Sequence, residues 1–251
     1  MSERRIGLLA PYRELPGELT DVVAAAREPA LLWQVVTEAA DSHELADLRE
    51  TGSDGALLDG IERMRRWRPS VVSFACTGGS FVDGRQGALA QAETIERAAG
   101  VPATSTSLAF VEALAALSIA EVALLSPYPQ PATDALVGFL AEWGVAVRSS
   151  TALGCPGGRE SERLGAAEVE AALAALDPGL PTVFPDTAVW GLEIQRQLAT
   201  PPRGPLLVAN QVTLWNAFDL AGMSTDLAEL GALAGLRGSG RTTASARPGG
   251  R

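Results

Sequence analysis

The segment Gly7-Leu-Leu-Ala-Pro-Tyr12 returns further along the chain as Ala123-Leu-Leu-Ser-Pro-Tyr128, and the only two tyrosines of the protein end these two copies. Each copy is a short apolar run of strand length that ends in a turn signal. In the same order, Phe74-Ala-Cys-Thr-Gly-Gly79 is matched by Phe184-Pro-Asp-Thr-Ala-Val189, and a third, looser pair follows. Three matches in one order predict two lobes of similar structure.

Around these segments, short apolar runs alternate with stretches of helical periodicity. Apolar residues between Gly55 and Trp67 recur at a helical spacing, and the run 71–75 that follows has the length and composition of a strand. Strands that alternate with helices predict an α/β fold in which helices cover parallel sheets.

The repeat also predicts the domain organisation. The first lobe spans residues 1–103 and is completed by a C-terminal helix over 212–236, and the second lobe spans 104–211. Residues 237–251 are rich in glycine, serine and arginine, which predicts a disordered tail.

Composition limits the classes of partner and cofactor. The 251-residue chain carries 30 acidic and 20 basic residues, and its net charge of −10 disfavours binding to nucleic acid or to a membrane surface. No apolar run reaches the roughly 18 residues of a membrane span. With no visible signal peptide and two cysteines, too few for a disulfide framework, we expect a cytoplasmic protein.

The sequence shows no motif typical of a metal or nucleotide site. No Gly-x-Gly-x-x-Gly dinucleotide fingerprint follows the first strand, and no phosphate-loop spacing is present. The single histidine, His43, lies in a polar stretch and is predicted to be a solvated surface residue. One histidine and two cysteines do not make a zinc site of the usual type, so we expect no metal.

Each repeated segment places a turn directly after a presumed parallel strand. Ligands of open α/β sheets bind outside the carboxyl ends of the strands, so two lobes that face each other with these ends enclose one site. We predict that the turns line this site with Pro11, Tyr12, Cys76, Thr77, Gly78, Gly79, Ser105, Thr106, Tyr128, Asp186, Thr187 and Asn210.

Cys76 is the candidate reactive group. In the turn Cys76-Thr-Gly-Gly-Ser80, glycines allow backbone N–H groups to approach a ligand, and the hydroxyls of Thr77 and Ser80 add donors for a carboxylate or enolate oxygen. The electrostatic field of these N–H and hydroxyl groups is also expected to favour the Cys76 thiolate. The structural alternative is a small buried hydrophobic residue at a strand end.

Asp186 stands in the second lobe where Cys76 stands in the first, and a carboxylate there can act as acid or base across the site. Tyr128 offers a phenol donor at a strand end, and Asn210 and Thr106 can complete polar contacts. Each also has a structural interpretation, Asp186 as a turn or helix-cap residue and the others as hydrogen-bonded packing. Cys155, in a separate glycine-rich loop, is the weaker cysteine candidate.

Together with Ala209-Asn-Gln-Val-Thr-Leu-Trp215, these segments resemble the maleate cis-trans isomerase and arylmalonate decarboxylase group of the aspartate/glutamate racemase superfamily. The resemblance extends over about Arg5 to Gly222. It implies two Rossmann-like lobes related by a pseudo-twofold axis, with the active site between them. It also implies a small carboxylic-acid substrate and no cofactor, and a homodimer is the assembly that it suggests.

In maleate isomerases, the first-lobe cysteine adds to the double bond of the substrate, the carbon–carbon bond rotates, and the thiolate leaves. The resemblance assigns the nucleophile to Cys76, a contact with a substrate carboxylate to Tyr128, and an oxyanion or carboxylate donor to Thr77. Two positions depart from the family. Asp186 replaces the usual second cysteine, and Glu14 lies where an asparagine is usual.

Three functions stay open at this point. The first is an isomerase of a small unsaturated dicarboxylic acid, in which Cys76 is the nucleophile and Asp186 handles the proton. The second is an arylmalonate-type decarboxylase or a racemase in which Cys76 donates the proton; without a second cysteine, racemisation is the weaker of these. The third is an inactive carboxylate-binding protein, which the missing second cysteine favours and the intact turn after Cys76 opposes.

Overall fold

The computed structural model describes residues 3–12, 14–37, 39–240 and 242, and these form two four-stranded parallel sheets. The strands of the first sheet are β1 (Arg4–Ala10), β2 (Ala30–Val36), β3 (Val71–Phe74) and β4 (Ala103–Ser105). Those of the second are β5 (Glu121–Ser126), β6 (Ala146–Ala152), β7 (Thr182–Phe184) and β8 (Leu206–Val208). The spatial orders are β2-β1-β3-β4 and β6-β5-β7-β8, so the two lobes share one topology.

The helices lie between the strands, as crossovers between parallel strands require. They are α1 (Gly17–Ala24), α2 (Leu45–Thr51), α3 (Asp54–Met64), α4 (Thr77–Phe81), α5 (Gly84–Ala99), α6 (Thr106–Ala116), α7 (Gln130–Glu142), α8 (Gly158–Glu162), α9 (Ala166–Leu173), α10 (Gly191–Gln197) and α11 (Ala209–Leu220), with short 3₁₀ helices at Arg65–Trp67 and Ala228–Leu233. The predicted α/β fold with two similar lobes is therefore confirmed. No helix among the described residues is both long and apolar enough to cross a membrane.

The internal repeat marks equivalent places in the two lobes. Its first pair of segments ends strands β1 and β5, its second pair ends β3 and β7, and its third covers β4 and β8. The central strands β1, β3, β5 and β7 are mainly apolar because helices cover both faces of each sheet. Leu8, Leu9 and Leu124, for example, are completely buried.

The junction between the lobes is formed by α6 and α11, each of which follows the last strand of a sheet. The first sheet extends to Ser105, slightly beyond the predicted boundary at 103. Helix α11 also contacts β3 and β4 of the first sheet, but it ends at Leu220 instead of continuing to 236. Thr106 of α6 and Thr213 of α11 join the two helices through their hydroxyls, 2.8 Å apart.

The described part of the predicted disordered tail lies against these helices. The buried carboxylate of Glu112 in α6 accepts hydrogen bonds from the backbone N–H groups of Ser239, Gly240 and Thr242. Asp219 of α11 accepts from the N–H of Gly238. Residues 241 and 243–251 of that prediction lie outside the described residues.

We predict that Glu112→Ala lowers the free energy of unfolding by about 2–3 kcal/mol, because several N–H groups lose a charged acceptor. Urea unfolding measures the change, and trypsin should cleave near Arg237 faster in the variant. Glu121→Ala is the matched control, because Glu121 forms an exposed ion pair with Arg148, and such pairs contribute about 0–1 kcal/mol. Equal stability of the two variants would contradict the anchoring role of Glu112.

Candidate active site

A cavity of about 430 Å³ lies between the lobes, at the carboxyl ends of their central strands. The predicted site residues that line it are Pro11, Tyr12, Glu14, Cys76, Gly78, Tyr128, Asp186 and Thr187. A separate cavity of about 200 Å³, beside Met64, Arg68 and Val101, lies near the amino ends of β3 and β4 and contains no predicted site residue. The inter-lobe cavity is therefore the candidate active site.

Cys76 follows β3 and precedes helix α4, where its Sγ accepts a hydrogen bond from the N–H of Gly79 at 3.3 Å. Burial raises the pKa of the Cys76 thiol to about 12. The amides of Gly79 and Gly78 oppose this rise, and the negative charge of Asp186 adds to it. The raised pKa disfavours the expected thiolate at neutral pH, because the loss of hydration outweighs the two amides.

The other residues of the turn Cys76–Ser80 fix the position of Cys76. The hydroxyl oxygen of Ser80 lies 2.7 Å from the carbonyl oxygen of Cys76 and 2.7 Å from Ser107 Oγ. The predicted lining residues Thr77 and Gly79 and the predicted donor Ser80 are buried behind the cavity instead of facing it. These three residues support the thiol.

Asp186 follows β7 and faces the cavity from the second lobe. Its N–H donates to Thr77 Oγ1 at 3.2 Å, and its Oδ1 accepts from the N–H of Ala188 at 3.0 Å. Its φ of 80° lies in the left-handed region, which is uncommon for a residue other than glycine and costs free energy that the surroundings must offset. Its Oδ2 is buried and has no hydrogen-bond partner among the described residues.

His43 is not a surface residue, so that prediction is wrong: its side chain is only 7% exposed and lines the cavity. Its Nε2 lies 3.5 Å from Asp186 Oδ2, and its Nδ1 lies 2.8 Å from the carbonyl oxygen of Cys155. The ring of Tyr128 packs edge-on against the imidazole, with ring centroids 4.7 Å apart. The loop that carries His43 folds onto the second lobe, which the local sequence does not indicate.

Tyr12 and Tyr128 are the matching tyrosines of the repeat, and both hydroxyls are buried without a hydrogen-bond partner among the described residues. Burial raises the pKa of both phenols, and the nearby Cys76 and Asp186 raise it further, whereas Thr187 beside Tyr12, and Thr77 and Gly78 beside Tyr128, offset the rise only in part. Both tyrosines therefore stay neutral and keep a hydrogen to donate. Two unpartnered donors in one cavity suit the oxygens of a carboxylate.

Two predicted contacts lie behind the site and not in it. Thr106 is buried against Thr213, as described above. The amide nitrogen of Asn210 donates to Glu18 Oε1 at 2.7 Å and lies within 3.2 Å of the carbonyl oxygens of Thr187 and Val189. Glu18, a residue that sequence analysis did not single out, is buried, and burial raises its pKa. Asn210 thus anchors the turn after Asp186.

Charged side chains at the mouth of the cavity are exposed. Glu14 and Glu162 are acidic, and Arg159 forms an ion pair with Asp41 at 3.3 Å. Among the residues that the structure describes, no group of three or more histidine, cysteine or carboxylate side chains is arranged to hold a metal ion. The chemistry that the arrangement offers is therefore that of a thiol, a carboxylate, an imidazole and two phenols.

A model of the arylmalonate decarboxylase family matches residues 23–233, which is most of the chain. The arylmalonate decarboxylase of Bordetella bronchiseptica is 26% identical over 175 residues, which cover 66% of this chain and 71% of that protein.

Solved structures share the fold. The maleate isomerase of Pseudomonas putida S16 with maleate has a TM-score of 0.82 at 18% identity, covering 92% of this chain and 97% of that one. The Nocardia farcinica maleate cis-trans isomerase with a covalently bound succinylcysteine intermediate has a TM-score of 0.79 at 19% identity, covering 92% and 98%.

We predict that Cys76 reacts slowly with iodoacetamide in the unliganded protein, because its thiol is protonated. In a Cys155→Ala background, where Cys76 is the only thiol, alkylation at pH 7.5 should be at least about tenfold slower than that of free cysteine. Mass spectrometry measures the rate for the protein and for free cysteine, and rapid alkylation near pH 7 would show that the site favours the thiolate.

Proposed function

Because this chain belongs to the arylmalonate decarboxylase family, we propose that it is a cofactor-independent isomerase of a small unsaturated dicarboxylic acid, with Cys76 as its nucleophile. One observation carries the proposal. The Cys76 thiol shares one cavity with a carboxylate oxygen of Asp186 and the phenol hydroxyls of Tyr12 and Tyr128, none of which has a hydrogen-bond partner among the described residues. The cavity thus combines a nucleophile, a proton acceptor and carboxylate-binding donors.

The substrate binds through hydrogen-bond donors that carry no negative charge, the hydroxyls of Tyr12 and Tyr128. Tyr12 reaches the cavity from the first lobe and Tyr128 from the second, so each can donate to a different carboxylate of one small molecule. Their raised pKa keeps both hydroxyls protonated beside the acidic Asp186. Such donors, fixed by packing before the substrate arrives, also stabilise the negative charge that forms during the reaction.

The reaction begins with proton transfer, because the resting thiol is protonated. Asp186 Oδ2 takes the proton of Cys76 while the sulfur bonds to one alkene carbon, and the alkene electron pair moves to the neighbouring carboxylate as an enediolate. The former double bond is now single and rotates. The electron pair then returns, the carbon–sulfur bond breaks, and the proton goes back to the sulfur, so the net change is cis to trans.

The relatives support cysteine addition. The Nocardia farcinica isomerase contains a succinylcysteine intermediate, which is the adduct expected when a cysteine adds to an unsaturated four-carbon dicarboxylic acid. Cys76 occupies the first-lobe position at the start of the glycine-rich turn, where addition of this kind is expected. Cytoplasmic location and assembly as a homodimer stay predictions.

Decarboxylation of an arylmalonate-type acid is the second candidate, and two observations favour it. A protonated Cys76 is a proton donor without prior activation, which suits protonation of the enediolate left when carbon dioxide departs. The lining of the cavity also includes the apolar side chains of Pro16, Leu48 and Trp190, which offer apolar surface to an aryl group.

Proton NMR in deuterated buffer separates these functions. We expect the wild-type protein to convert maleate to fumarate, and Cys76→Ala to lose this activity, because addition requires the sulfur. Asp186→Asn should lower kcat by about 100-fold or more, since the thiol loses its proton acceptor. Asp134→Asn, on the exposed side of α7, is the matched control and should behave as wild type.

The same substrate panel includes phenylmalonate and aspartate. Deuterated phenylacetate from phenylmalonate, with no fumarate from maleate, would replace the isomerase by the decarboxylase. Exchange of the α-hydrogen of aspartate would indicate a racemase. Binding shifts without any turnover, equal in wild type and Cys76→Ala, would instead indicate a carboxylate-binding protein.

A further inference from the structure

We propose that His43 is the proton-carrying partner of Asp186, so that the two side chains form one proton-holding unit in the cavity that Cys76 also lines. This role rests on the proposed function for the reaction that it serves. The pairing itself follows from the contacts of the two side chains.

One ring nitrogen of His43 is committed to the backbone of the second lobe. Nδ1 lies 2.8 Å from the carbonyl oxygen of Cys155, and because a carbonyl only accepts, Nδ1 carries a hydrogen. The backbone N–H of His43 donates to the carbonyl of Pro156 at 2.8 Å, and Tyr128 packs edge-on against the ring. A neutral imidazole held in this way has a bare, accepting Nε2.

This Nε2 faces an oxygen that also accepts. Asp186 Oδ2 lies 3.5 Å away and has no other partner among the described residues, while Oδ1 is occupied by the N–H of Ala188. A bare nitrogen and a bare carboxylate oxygen repel each other in a buried site, so one proton belongs between them. The pair is either imidazolium beside carboxylate or imidazole beside carboxylic acid, and both forms are neutral overall.

A His43–Asp186 pair without net charge avoids an electrostatic repulsion in the site. A lone buried carboxylate at Asp186 would repel a dicarboxylate substrate held by Tyr12 and Tyr128 in a medium of low dielectric. The proton shared with His43 removes that repulsion and leaves a group that can accept a second proton. When the Cys76 proton moves to the pair, His43 is protonated on both nitrogens and Asp186 on one oxygen.

The added positive charge of the pair then stands against the negative charge of the enediolate, and the proton returns to the sulfur when the carbon–sulfur bond breaks. No oxidant, reductant or further reactant is needed. In the decarboxylase alternative, the thiol protonates the product, the pair gives its proton to the Cys76 thiolate, and water then restores the proton of the pair.

A single histidine makes the test direct. Protein labelled with ¹⁵N-histidine and carrying no polyhistidine tag gives one pair of ring-nitrogen signals, whose protonation long-range ¹H–¹⁵N spectra report. We expect a protonated Nδ1 at neutral pH and an Nε2 signal that moves in Asp186→Asn. Asparagine tolerates a positive φ, so this variant keeps the backbone of the turn. Asp134→Asn, which is remote and exposed, should leave both signals unchanged.

Two spectral results would overturn the pairing: a hydrogen on Nε2 with a bare Nδ1, or an Nε2 signal that ignores Asp186→Asn. Neither depends on turnover. If no acid of the panel reacts, the proposed function fails while the spectra still decide the pairing.

Kinetics test the role of the pair in the reaction. His43→Gln places an amide nitrogen near the position of Nε2, so a hydrogen bond to Asp186 is kept but no proton is exchanged. We expect kcat to fall by about 100-fold with KM nearly unchanged. His43→Asn keeps a donor toward the Cys155 carbonyl, and its kcat should fall by the same factor. It replaces His43→Gln in the test if that variant folds poorly. A kcat close to wild type in either folded variant would refute the proton-carrying role.

Discussion

Two hydrogen bonds cross between the lobes where β3 and β7 end, and the site depends on them. Thr77 Oγ1 accepts from the N–H of Asp186 at 3.2 Å, and Thr187 Oγ1 donates to the carbonyl of Ala75 at 3.1 Å. The two threonines hold matching places in the repeat, so each lobe fixes the turn of the other. The thiol and the carboxylate therefore face one cavity. Because both bonds are buried, losing a partner leaves an unsatisfied polar group at a cost of about 1–3 kcal/mol.

Burial also sets the charge of the site. It raises the pKa of Cys76, Tyr12 and Tyr128, so three acidic groups stay protonated within a small volume. A chain of net charge −10 can in this way offer a carboxylate a cavity whose deep wall carries little negative charge. The exposed carboxylates of Glu14 and Glu162 lie at the mouth, where water screens them.

The sequence predicts the central strands and the place of the site well, because β1, β3, β5 and β7 are apolar runs followed by the repeated turns. It does not indicate β2, an edge strand in which exposed Leu31 and Trp33 alternate with more buried residues. The three residues of β4 are too few for a periodic signal. The prediction for His43 was wrong because it relied on the polar neighbours Ser42 and Glu44. The ring is buried by contacts with Cys155 and Pro156, which are distant in the sequence.

The backbone of the turn after β7 accommodates an acidic residue. At a φ of 80°, a residue with a short polar side chain is tolerated better than a β-branched or bulky one, and Asp186 meets this requirement. A carboxylate in that position is useful only if its charge is balanced, since Cys76 and the substrate are both potential anions. The proton shared with His43, a residue of the first lobe, balances the charge of Asp186. The carbonyl of Cys155, in the second lobe, fixes the orientation of the imidazole ring. The charge of Asp186 is thus balanced by a residue from the opposite lobe.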